Sequence, residues 1–173
     1  AGVPATGSFP LLVILHGNGY HWDDYDTIGE LLASQGIVVV VPQFPTGLLG
    51  ACGSSLISIE RAEFGERAMK WALAESARPD GFFAGRLDPT KVVIAGHSWG
   101  GTAAEWAAPV IGARVVASWD PIGLLQNVLQ WQSCNSSRRT GVATRDHLRA
   151  TWRDISTPFL ALDAGRSGFR TTL

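Results

Sequence analysis

The stretch that most constrains this chain runs from Val92 to Ala108. Val92-Val93-Ile94-Ala95 is followed at once by Gly96-His97-Ser98-Trp99-Gly100, then by Gly101 and the alanine-rich Thr102–Ala108. Four apolar, partly β-branched residues predict a short buried strand, and the alanine-rich text after them predicts a helix. The five residues between match G-x-S-x-G, a motif that requires strand, sharp turn and helix in that order. The glycines have a physical reason. Ser98 must occupy a strained turn for its Oγ to stand above the sheet, and a side chain at 96 or 100 would collide with neighbouring backbone. A helix that starts at the serine points its free N–H groups and positive end at any oxyanion formed there. The plainer reading is a small-residue packing turn with an incidental serine. Both flanks are right for the motif, so Ser98 is read as a nucleophile.

A chain of 173 residues predicts one domain, 1–173, long enough to bury a core. Hydrophobic content of 46% and charged content of 17% are values of a globular protein rather than a disordered one. The net charge of −1 offers no basic face for nucleic acid and no acidic tail. No apolar run reaches the length of a membrane span. Residues 1–10 lack the charged and apolar regions of a signal peptide, so any targeting segment is expected to have been removed already. Cys52 and Cys134 lack metal-type spacing. They either pair in an oxidising compartment, which would suit a secreted or periplasmic protein, or stay free thiols, and the compartment otherwise stays open. No P-loop, dinucleotide fingerprint or metal cluster is present, so no cofactor and no metal are implied.

Taken in order, residues 1–10 read as an extended lead-in, and Leu11–Leu15 as a parallel strand covered on both faces. The strand ends in His16-Gly17-Asn18-Gly19, a loop that glycine lets approach a ligand closely. Asp23 and Asp24 open a helix with Tyr25, Ile28 and Leu32 on one face, stopped by Gly36. Ile37–Val41 is a second strand, closed by Pro42 and followed by a loop through Pro45, Gly47, Gly50, Cys52 and Gly53. A helix over 57–77 places Phe64, Ala68 and Trp71 at core spacing. Pro79–Thr90 reads as a polar connection, Val92–Ala95 as the third strand and Val115–Trp119 as the fourth. A mostly polar excursion from Gln126 to about Asp154, with a helix near Thr144–Arg153, precedes a fifth strand at Pro158–Leu162. Strands alternating with helices predict an α/β fold, a three-layer sandwich around a doubly wound parallel sheet.

In such sheets ligands sit beyond the carboxyl ends of the strands. Four features fall there: the His16–Tyr20 loop, the Phe44–Ser54 loop, the Ser98 elbow and Asp120. Acyl transfer needs a nucleophile, a base, an acid that orients the base and two N–H donors for the oxyanion. Ser98 supplies the nucleophile, the N–H groups of Trp99 and Asn18 supply the donors, and Asp120 follows the strand after the elbow. Asp120 has a plainer reading as a turn cap before Pro121. Tyr20, Trp22, Phe44, Trp99 and Trp119 are aromatic residues gathered on loops around one serine. They suggest an apolar acyl or alcohol pocket, although core packing would explain any one of them.

Leu12-Val13-Ile14-Leu15-His16-Gly17, the run Leu31-Leu32-Ala33-Ser34-Gln35-Gly36-Ile37 continuing to Gln43, Gly96–Gly101 and Trp119-Asp120-Pro121 together resemble the α/β-hydrolase superfamily. The resemblance is to its serine esterases, in the branch of chlorophyllases, platelet-activating-factor acetylhydrolases and dienelactone-hydrolase-like polyesterases. It covers most of residues 10–165. It implies hydrolysis of a carboxylic ester, small or lipid-like, through an acyl-enzyme on Ser98, with the elbow strand between those at Leu11 and Val115. It places the acid at Asp120, as in chlorophyllases and the acetylhydrolases. Polyesterases carry the acid one strand later, where Asp163 is the nearest candidate but lies within strand text. The alternative from another class is a non-catalytic module that keeps the fold and uses the aromatic cleft to bind lipid or a protein partner.

The departures from that family are also informative. Its members carry the catalytic histidine after a last strand, downstream of the text that ends near Leu173, and two strands before the one at Leu11. The chain is therefore expected to be the central part of a hydrolase, its ends removed or supplied by a complementary chain. On its own it is expected to be a poor esterase. Of its histidines, His16 belongs to the oxyanion loop, His21 to a helix start or pocket rim, and His97 is turned away from Oγ by the elbow. His147 satisfies the order Ser, Asp, His, but Arg145, Asp146 and Arg149 around it suggest a solvated helix face.

Overall fold

The computed structural model describes residues 6–43, 58–121 and 159–162, with 58–60 and 159–162 described by their backbone alone. Among these residues, five parallel strands are joined in the order β2-β1-β3-β4-β5. They are β1 (Phe9–Leu15), β2 (Val38–Val40), β3 (Leu87–His97), β4 (Val115–Trp119) and β5 (Phe159–Leu162). The helices are a 3-10 turn (Trp22–Tyr25), α1 (Asp26–Ser34), α2 (Ser58–Ala77) and α3 (Trp99–Ile111).

Period-two alternation divides the core between the two faces of the sheet. Leu11, Val13, Leu15, Val92, Ile94 and Val116 pack with Ala68, Met69, Ala72 and the alanines of α3. Leu12, Ile14, Ala95 and the partly buried Val93, Ala117 and Trp119 gather with Tyr25 and Leu32 instead. The result is three layers, α2 and α3 on one face and α1 on the other. Handedness explains the division. The chain moves one way from β1 to β2 and the opposite way from β2 through β3 to β4, and right-handed crossovers then require helices on opposite faces. The reversal opens a crevice between the carboxyl ends of β1 and β3, the place where such sheets hold ligands.

The ends of α1 follow from local chemistry. The Asp24 carboxylate accepts the His21 backbone N–H at 2.7 Å, so His21 starts the helical segment, as expected. At the other end Gly36 takes φ +80°, the Gly36 N–H donates to the Ala33 carbonyl (3.0 Å) and the Ile37 N–H to that of Leu32 (3.1 Å). That pair is a Schellman motif, closed by apolar residues at 32 and 37.

Several expectations need correction. Residues 87–91 belong to β3 and not to a polar connection: Phe9 pairs with Leu87, and the Phe9 N–H donates to the Arg86 carbonyl at 2.7 Å. The register then jumps to Leu11 opposite Val92, so residues 88–91 bulge near the amino-terminal end of β3, with Thr90 and Lys91 exposed. Trp71 is not a core residue. It is half exposed and meets Phe83 edge-on at 5.9 Å. The face that α2 buries carries Arg61, Gly65, Ala68, Met69 and Ala72, because small side chains let the helix lie closest to the sheet. Ile28 likewise points outward. Cys52, Cys134, the Phe44–Ser54 loop and the helix near Thr144–Arg153 lie outside the described residues.

Candidate active site

Ser98 stands between the last residue of β3 and the first of α3, with φ 54° and ψ −120°. A residue bearing a Cβ holds such a conformation only where its surroundings impose it. Here the surroundings are explicit. A Cβ on Gly96 would strike the Gly100 carbonyl, and one on Gly100 would strike the carbonyls of Leu15 and His16. The elbow is thus pressed against the end of β1 through backbone alone. The Ser98 N–H donates to the Trp119 carbonyl at 3.1 Å, and its side chain makes no cap hydrogen bond. Ser98 is partly exposed, and α3 runs away from it with Trp99 as first residue. The positive end of the helix therefore lies at the serine.

The loop after β1 is held against the elbow on two sides. On one, the buried Tyr25 hydroxyl accepts the Gly17 N–H at 3.0 Å. Its own proton then faces Nδ1 of His97, 3.3 Å away, which accepts it when the imidazole is neutral. Burial lowers the pKa of His97 and outweighs the opposing pull of the Asp120 charge. Tyr20 meets the His97 ring edge-on at 5.0 Å, and Trp119 stacks on it at 6.3 Å. His97 is thus engaged with Tyr20, Tyr25 and Trp119. His16 is fully buried, and its Nδ1–H donates to the Gly17 carbonyl at 2.9 Å. Burial lowers its pKa too, so the neutral ring is the form that packs there.

On the other side lies a residue that sequence reasoning missed. Arg61, on the first turn of α2 and fully buried, donates from Nη2 to Asn18 Oδ1 at 3.0 Å. Its guanidinium lies 5.8 Å over the Trp99 ring. Burial lowers its pKa to about 10, which leaves it protonated at neutral pH. A signal was present in the sequence: 61, 65, 68, 69 and 72 form one helical face, and Arg61 is its one charged member.

Asp120 is exposed at the end of β4 with φ 47°, a left-handed conformation that aspartate tolerates better than most residues. It is pinned from both sides. Trp119 binds the Ser98 N–H, and Pro121 lies where a Cβ on Gly101 would approach to 3.3 Å. Asn18, Trp99, Trp119, Tyr20 and Asp120 are thus tied to the elbow by direct or shared contacts. Trp22 is placed differently. It is half exposed and lines a cavity of about 340 Å³ with Tyr25, Asp26, Gly29, Glu30, Ala33, Val39 and Val41, between α1 and β2. Phe44, His147 and Asp163 lie outside the described residues. Among the described residues no helix is long and apolar enough to cross a membrane.

No curated protein matches this chain. A family model does: that of the alpha/beta hydrolase family aligns with residues 12–172, from β1 through the elbow and beyond β5. With strand order, elbow and match in agreement, the chain belongs to the alpha/beta hydrolase family.

Proposed function

We propose that this hydrolase cleaves carboxylic esters with apolar acyl or alcohol groups, small or lipid-like, through an acyl-enzyme on Ser98. The observation that carries the reading is the backbone of Ser98: φ 54° at a strand–helix junction, flanked two residues away on each side by a glycine at which a Cβ would strike main chain. Strain of that kind, kept at a partly exposed serine ahead of a helix, fits a hydroxyl that must project toward a substrate.

In this mechanism Oγ of Ser98 attacks the ester carbonyl carbon while its proton passes to a general base. The carbonyl π pair moves onto oxygen, and the N–H groups of Trp99 and Asn18 donate to that oxyanion. Collapse of the tetrahedral species breaks the C–O bond to the alcohol, which leaves with the proton from the base. Water then repeats the sequence on the acyl-enzyme and frees the acid and Ser98. Asp120 is the acid that orients the base, as in the chlorophyllase and acetylhydrolase branch. The His16 and His97 rings are held by structural contacts and His21 sits at the start of the helical segment, so the base is assigned to a histidine outside the described residues. Tyr20, Trp99 and Trp119 form the apolar rim.

The test is turnover of short-chain p-nitrophenyl esters by the full-length protein, together with labelling by a fluorophosphonate. Ser98→Ala should abolish both. Ester turnover that survives this substitution removes Ser98 from the mechanism.

A further inference from the structure

We propose that Arg61 is a positioning residue for the oxyanion hole, one buried cation that fixes both residues whose N–H groups receive the developing charge. The inference rests on the ester-hydrolase reading above and adds a residue that the motif does not contain. Three observations carry it. The Arg61 guanidinium donates to Asn18 Oδ1 at 3.0 Å. The same group lies over the Trp99 ring at 5.8 Å. The side chain is fully buried, whereas Asn18 and Trp99 are only partly so.

The two donors come from separate elements, the loop after β1 and the first residue of α3, and the Asn18 side of the loop is held through its side chain. A short loop with glycine on both sides of Asn18 has little stiffness of its own. An oxyanion hole works because its donors are in place before the charge forms, so their relative position matters more than the strength of either contact. The planar guanidinium suits this task. It holds an amide oxygen with one edge and sets its charge over an indole ring, two contacts from one rigid group. Its own placement is set one turn further along α2. A Cβ on Gly65 would approach Ile94 and Leu15 to 3.2–3.3 Å, so the helix lies against β1 and β3 there and brings its first turn beside the loop after β1. A guanidinium removed from water is costly to place. Its position against two proposed donors, instead of on the surface, is what a role in the site explains.

The experiment measures kcat per phosphonate-titrated site, KM, and the Ki of a trifluoromethyl ketone, whose serine adduct carries an oxyanion. Four variants of the full-length protein are compared: Arg61→Met, Arg61→Lys, Asn18→Ala and the Arg61→Met/Asn18→Ala double substitution. Asn18→Ala cuts the same hydrogen bond from the partly exposed side while keeping the backbone donor. Losing a donor outright lowers kcat by about 10²–10³, so loosening the pair should lower it by roughly 10–100-fold, with KM within about twofold. The ketone Ki should rise in parallel, Arg61→Lys should recover part of the loss, and the double variant should lose no more than the worse single one. A purely structural role would reduce the titratable fraction and leave kcat per site unchanged. Values of kcat per site within twofold of the parent in Arg61→Met overturn the proposal, as do losses that multiply in the double variant. If Arg61→Met does not fold, Asn18→Ala decides by the same criterion. Turnover that persists in Ser98→Ala overturns the hydrolase reading and this proposal with it. Turnover lost in Ser98→Ala but untouched at 61 and 18 overturns this proposal alone.

Discussion

The backbone at Ser98 makes replacement of that serine by glycine a stabilising change. With φ 54° and ψ −120°, Ser98 holds a Cβ in a region that L-residues avoid, and strain of this kind amounts to about 1–3 kcal/mol. Glycine adopts the same angles without it. Against that gain stands the greater freedom of glycine in the unfolded chain, about 0.5–1 kcal/mol. The serine hydroxyl makes no cap hydrogen bond, so its removal has little effect on the fold. The net expectation for Ser98→Gly is a gain of ~1 kcal/mol, or roughly 2–4 °C in Tm for a chain of this size. Ser98→Ala is the control, because it also lacks the hydroxyl but retains the Cβ and hence the strain. Urea unfolding of the three proteins, with m-values compared, separates the terms. The glycine variant should unfold at the highest urea concentration, and alanine should match serine. A glycine variant no more stable than the alanine one would refute the claim that the elbow is strained.

Other consequences follow from neighbouring contacts. Gly100→Ala places a Cβ against the carbonyls of Leu15 and His16 and should cost more than about 3 kcal/mol, a result in the range of severe core lesions, read as loss of soluble yield or of the urea midpoint. Tyr25→Phe strips the acceptor from the buried Gly17 N–H and should cost about 1–3 kcal/mol in the same assay, with weaker ester turnover because the Asn18 loop is released. Stability should fall as pH drops below about 6.5, since burial lowers the pKa of both His16 and His97 and the unfolded chain takes up protons first. Urea midpoints between pH 7.5 and 5.5 should show the decline, and His97→Asn should flatten part of it.

The parts of this molecule that could be read from its sequence were those written in local patterns. Strand, elbow and helix around Ser98 need only a β-branched run, two glycines and alanines, and all are contiguous. Strand order could be anticipated because the resemblance supplies it. On α2 the core spacing of Phe64, Ala68 and Trp71 holds for Ala68, which is buried, and for Phe64, which packs against the core, and fails at Trp71. Gly65, Ala68 and Ala72 make the close approach, while Trp71 finds a partner in Phe83 at the helix edge. Arg61 escaped notice because its partners, Asn18 and Trp99, come from distant parts of the chain, and no local period links them. Tyr25 was expected on a helix face. That its hydroxyl would bridge Gly17 and His97 depends on where α1 packs across the sheet, a tertiary fact.

The pairing of Leu15 with Gly96, and the press of Gly100 on the carbonyls of Leu15 and His16, also govern how the protein is made. Both halves of that contact must have left the ribosome before either can settle. At about 5–20 residues per second the first strand waits on the order of ten seconds for its central neighbour. Among the described strands made before β3, the fully apolar Leu11–Leu15 pairs with the three-residue Val38–Val40. Until β3 emerges, the side of β1 that pairs with it is therefore an open, aggregation-prone edge. The elbow closes late, in the same event that completes the middle of the sheet, so catalytic competence should appear together with the final cooperative step of folding.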